Sequence, residues 1–147
     1  MAALRTVYRY WAWLLFVGIV VQVGLAGYGA FYVANKVDGE GKTVDEDQFM
    51  DGFGAHAGIG YLIVLIGLVL LILALAGRVR GQQLSRTAIL FGLLIVQVLL
   101  AWFGFEVPAI GFFHPVNALL LFALSAWVAM TEWRRDPATD GPTRAAI

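Results

Sequence analysis

The chain has 147 residues, of which 61% are hydrophobic and 14% charged, and its formal net charge is zero. About a quarter of an ordinary soluble domain is charged, so this balance excludes a water-soluble globular domain and, equally, a disordered chain. With no cysteine, disulfides, thiolate metal sites, iron–sulfur clusters, cysteine nucleophiles and covalent c-type haem attachment are excluded as well.

From the N-terminus, a short segment with Arg5 and Arg9 leads into an uncharged apolar run over 11–33. It is long enough to cross about 30 Å of hydrocarbon as a helix. A secretory signal cut near Gly24 to Ala26 is the competing reading, but the run is longer than a signal's apolar region. Residues 34–54, containing NKVDGEGKTVDEDQFM, read as a long acidic loop. A second span follows over 55–76, then a short basic turn at 77–86, GRVRGQQLSR. The third span covers 87–105, a tight link EVPAIG covers 106–111, and the fourth span covers 112–131. The fold class expected is all-α: a transmembrane four-helix up-down bundle over 1–133 with a polar tail at 134–147.

All eight arginines lie in the N-terminus, the 77–86 turn or the tail, whereas the loop after the first span and the third-to-fourth link carry seven acidic residues, Glu106 included. The positive-inside rule then predicts a multi-pass protein of a bacterial-type cytoplasmic membrane, with both termini cytoplasmic. The tail is too short and too weakly basic for nucleic acid.

The chain also repeats itself. IVVQVGLAGYGAF at 19–31 aligns without a gap on LIVQVLLAWFGFE at 94–106, matching Gln22 with Gln97 and Gly29 with Gly104. Each stretch is followed by an outer connection and a histidine that opens the next span: His56 in HAGIGYLIVLI and His114 in HPVNALLLFAL. The unit is helix, outer loop, histidine, helix, used twice in parallel, so a pseudo-twofold axis along the membrane normal is expected.

His56 and His114 are the only histidines. In an up-down bundle their helices are diagonal, roughly 12–14 Å apart for neighbours at roughly 8–10 Å. Imidazoles across that gap are expected not to touch, but to grip a flat disc, which is the geometry of bis-histidine haem b. Gly60 and Ala118, one turn from each histidine, are the places a haem edge would press against, and Gly27, Gly29 and Gly58 add room. Tyr28, Asn35, Lys36, Lys42 and Asn117 are candidate propionate partners, and Glu106 is the acid expected nearest the site. A bare zinc or copper ion, bound with help from Glu106, Asp51 or Met50, and no cofactor at all are the two alternatives. Gln22 and Gln97, near mid-membrane, read either as hydrogen-bonded across the axis, to each other for example, or as contacts to haem, quinone or a proton path.

On this pattern of spans and histidines, the chain resembles one four-helix half of haem A synthase and, more loosely, small four-helix membrane cytochromes b. The resemblance implies His56 and His114 as axial ligands. Phe53 and Ala57 stand where the synthase family carries a glutamate and an arginine, so it implies a single haem-binding module rather than full synthase activity. The function expected is one-electron transfer or haem handling at the outer face. A quinol or a membrane redox partner would exchange electrons with it, and a homodimer would restore a two-half arrangement. The alternative is a cofactor-free membrane assembly factor or complex subunit.

Overall fold

A computed structural model of the protein describes residues 2–39 and 41–134. The polar tail beyond Arg134 lies outside the described residues. Five helices follow one another: α1 Ala2–Val37, α2 Glu46–Ala76, α3 Gln82–Glu106, the single turn α4 Pro108–Gly111, and α5 Phe113–Arg134. The chain is an all-α four-helix bundle. Its four long segments, with α4 and α5 together as the fourth, are each long and apolar enough to cross a membrane.

The helices are longer than the apolar runs. α2 begins at Glu46 rather than Ala55, so the acidic stretch is largely helix. Asp45 caps it: its carboxylate accepts from the Gln48 N–H at 2.8 Å, and Gln48 Oε1 accepts from the Asp45 N–H at 3.4 Å. This reciprocal box satisfies two helix-end donors, and Glu46 and Asp47 in the first turn suit the helix dipole. The true loop is short and turns at Gly39 and Gly41, both at positive φ. The basic turn is likewise shorter than 77–86, because α3 starts at Gln82 directly after Gly81, at φ 62°.

Around the bundle, α1 packs on α2, α2 on α3, α3 on α5, and α5 on α1. This order places α2 and α5 on one diagonal and α1 and α3 on the other. The buried faces repeat at a constant offset. Tyr8, Ala12, Leu15 and Ile19 of α1 match Gln83, Thr87, Leu90 and Leu94 of α3. Ile63, Gly67, Leu70 and Ala74 of α2 match Leu121, Ser125, Val128 and Glu132 of α5. Both sets follow the helical spacing of one inward stripe. The flanks outside it expose Val17, Leu65, Ile72, Leu119 and Leu120, as a surface facing hydrocarbon requires.

Close packing depends on missing side chains. A Cβ on Gly67 would run into the Leu94 Cδ1, so Leu94 fills the notch that Gly67 leaves. At the outer end, a Cβ on Gly29 would lie 2.9 Å from the Gly52 carbonyl oxygen, and one on Gly104 would lie 2.7 Å from the Gly111 Cα. The matched glycines of the repeat therefore do the same work, letting two backbones meet within each half.

Candidate functional site

Each half carries its histidine against its own glutamine. His56 Nδ1 lies 3.2 Å from the Gln22 carbonyl oxygen, and His114 Nδ1 lies 3.0 Å from the Gln97 carbonyl oxygen. A carbonyl only accepts, so Nδ1 is the donor in both rings. The rings meet on the α2–α5 diagonal with centroids 6.3 Å apart and planes at 66°. This corrects the expectation that the two imidazoles are too far apart to touch.

The glutamine side chains differ between the halves, and the sequence shows why. Gly60 has no Cβ, and the Gln22 amide lies over it, 3.0 Å from where a Cβ would be. From there Gln22 Nε2 donates to the His56 carbonyl oxygen at 2.9 Å. In the second half Ala118 takes the place of Gly60 and Asn117 that of Ile59. Asn117 Nδ2 donates to Gln97 Oε1 at 2.7 Å and to the Leu93 carbonyl oxygen at 3.0 Å. This corrects the reading of a hydrogen bond between the two glutamines across the axis. Each closes its own helix pair.

Aromatic rings continue the layer outward. Phe53 stands edge-on to His56 at 6.3 Å and stacks on Phe49 at 5.0 Å, and Phe49 meets Phe105 edge-on at 6.1 Å. Phe53 also lies against Gly29, so the space that Gly29 was expected to offer a cofactor is taken. Asn117 is buried and engaged rather than free for a propionate. Lys36 sits over the Tyr32 ring at 5.2 Å. Glu106 is exposed at the end of α3.

These arrangements overturn the haem b expectation. Among the described residues no group of three or more histidine, aspartate or glutamate side chains gathers where it could hold a metal ion, and there is no cysteine. The Gly60 space assigned to a porphyrin edge holds the Gln22 amide. With the haem go the iron and metal-ligand roles of His56 and His114, the cofactor contacts of Gly60, Ala118, Gln22 and Gln97, and the electron-transfer and haem-handling function built on them. The bare-metal alternative falls to the same donor set. What remains is a polar layer that ties helices.

A second polar layer, at the arginine-rich end, was not anticipated. Tyr8, Gln83, Thr87 and Ser125 are almost wholly buried there. The Tyr8 hydroxyl and Thr87 Oγ1 are 2.6 Å apart, across the α1–α3 diagonal. Gln83 Nε2 donates to the Val128 carbonyl oxygen of α5 at 3.2 Å and lies 3.5 Å from the Tyr8 hydroxyl. Glu132 is buried beside Val128 and Ala129 on the same stripe of α5. Gln83 falls within 77–86, which the sequence reads as a short basic turn. Its spacing from Thr87 and Leu90 was the signal that it begins an inward helix face.

A family of unknown function, DUF6220, matches residues 48–104, which is less than half of the chain. No curated protein and no solved structure matches it.

Proposed function

We propose that the protein is a cofactor-free membrane subunit or assembly factor, whose work is to present the outer end of its first helix hairpin to a membrane partner. The observation that carries this is the overhang of α1. A span of about 20 residues counted from Trp11 ends near Phe31, yet α1 runs to Val37. There, an open groove of about 640 Å³ is lined by Phe31, Ala34, Asn35, Val37 and Asp38. Phe31 is 80% exposed.

An exposed aromatic at the hydrocarbon edge, beside polar residues of the overhanging turn, supports a protein contact there. Asp38 gives the groove a carboxylate, and the stretch that follows it in the chain is acidic, with Asp45, Glu46, Asp47 and Asp51 outnumbering Lys36 and Lys42. The partner segment that fits is apolar and basic. The arginine distribution orients the bundle with both described ends of α1 and α5 that carry arginine toward the cytoplasm, and the groove toward the outer side. A quinol or redox partner entered only through the haem and has no place in this reading.

A photo-crosslinking side chain placed at Phe31 in native membranes tests the proposal. The expected result is one discrete heavier adduct, absent when the same group replaces Leu119, which faces lipid at 70% exposure. The adduct's mass separates a second copy of the chain from a different protein. No adduct from position 31, or the same adducts from both positions, overturns it.

A further inference from the structure

All the described arginines lie at one end of the bundle: Arg5 and Arg9 on α1, Arg78 and Arg80 in the α2–α3 turn, Arg86 on α3, and Arg134 at the end of α5. One of them, Arg134, lines a groove of about 290 Å³ on the outward face of α5, and a second, Arg86, reaches its Trp127 from α3. Its lining is Ala123, Trp127, Met130, Thr131 and Arg134, spaced so that they form one stripe two to three turns long. From the neighbouring helix, the Arg86 guanidinium lies over the Trp127 ring, 4.3 Å from its centre. Arg86 also donates to Gln82 Oε1 at 3.0 Å. Neither Arg86 nor Arg134 meets a carboxylate among the described residues.

We propose that this groove binds an anionic phospholipid, its headgroup phosphate held between Arg86 and Arg134 and one acyl chain lying along Trp127 toward Ala123. The chemistry is graded along the groove. A guanidinium offers paired N–H donors to phosphate oxygens, and stacking on indole holds Arg86 in place at little further entropic cost. Thr131 adds a hydroxyl at headgroup depth. Below it, Met130, Trp127 and Ala123 are exposed and apolar, matching hydrocarbon. A basic groove between spans at the edge of an anionic leaflet attracts such lipids. This site is independent of the outer groove and of the partner proposed for it.

The experiment is native mass spectrometry of the full chain released from detergent, with dioleoyl-phosphatidylglycerol or dioleoyl-phosphatidylcholine added at equal concentration. One retained phosphatidylglycerol is expected, with phosphatidylcholine retained at least about fivefold less. Arg86→Gln with Arg134→Gln should cut the phosphatidylglycerol adduct by at least about fivefold while leaving the phosphatidylcholine level and the helical circular dichroism unchanged. Arg80→Gln, at the same end but outside the groove, should leave the adduct intact. Equal retention of the two lipids overturns the site. So does an equal loss with Arg80→Gln, which would mean diffuse charge, or displacement by millimolar inorganic phosphate, which would mean a free-anion site.

Discussion

The two halves of the bundle share one scaffold and use it differently. Where the first half has Ala12, Gly67 and Ala74 facing inward, the second has Thr87, Ser125 and Glu132 at the matching places. The hydrogen bonds among these fully buried inward side chains are thus concentrated in the second half, with Tyr8 as the first half's member, while Arg5 and Trp11 tie the first half's own helices through the Gly77 and Ile66 carbonyls. At the outer end the balance is even: each half has one histidine on one glutamine carbonyl and one glycine pair in backbone contact. The two halves therefore share their close approaches and their histidine ties, and differ where small residues of the first are replaced by polar ones in the second. Buried polar groups in hydrocarbon need partners, so such an exchange stands only where a partner such as Tyr8 is available across the axis.

The comparison can be broken most forcefully at the glycines. Gly29→Leu and Gly104→Leu should each destabilise the bundle by about 3 kcal/mol, because the new side chain meets backbone that cannot yield. Unfolding in mixed micelles with increasing dodecyl sulfate would read this. Damage from one substitution only would mean that the halves are not equivalent at that layer.

Smaller but more specific is Thr87→Ala, which gives the second half the first half's residue. It removes the Tyr8 partner at 2.6 Å and should cost about 1 kcal/mol, whereas Tyr8→Phe with Thr87→Ala together should cost less than the sum of the two singles. An additive result would show that the two hydroxyls are not coupled.

At the outer layer, His56→Ala and His114→Ala should each cost about 0.6 kcal/mol, the usual worth of a hydrogen bond between membrane helices. Their matched geometry predicts near-equal effects, and their ring contact predicts a double variant less damaging than the sum. The smallest effect is expected at Gln22. Its Oε1 is buried without a hydrogen-bond partner among the described residues, so Gln22→Leu loses one bond and relieves one unsatisfied oxygen. It should fall within about 0.5 kcal/mol of the parent. Gln97→Leu should cost more, because it strands Asn117 Nδ2 from its 2.7 Å partner.

The four spans and their up-down order were legible in the sequence because apolar runs without charge have no other stable use in so short a chain. The helix ends were less so. Asp45 and Gln48 form a capping box inside what reads as an acidic loop, and composition outweighed that local signal. The VQV repeat led to the pairing of Gln22 with His56 and Gln97 with His114. Which atoms pair depends on Gly60 against Ala118 and Ile59 against Asn117, differences that take their meaning from side chains packed across two helices. The histidines illustrate the limit most clearly. Two imidazoles at one depth suit both a flat guest and a helix tie, and the residues that separate the readings, Gln22 over Gly60 and Phe53 against Gly29, are distant in the chain.

The most direct test of a cofactor-free bundle tied by its histidines is the absorption spectrum of the full chain purified from haem-replete cells. The account predicts no Soret band, and a spectrum unchanged by His56→Ala or His114→Ala. A Soret band that sharpens on reduction and disappears with either substitution would contradict it.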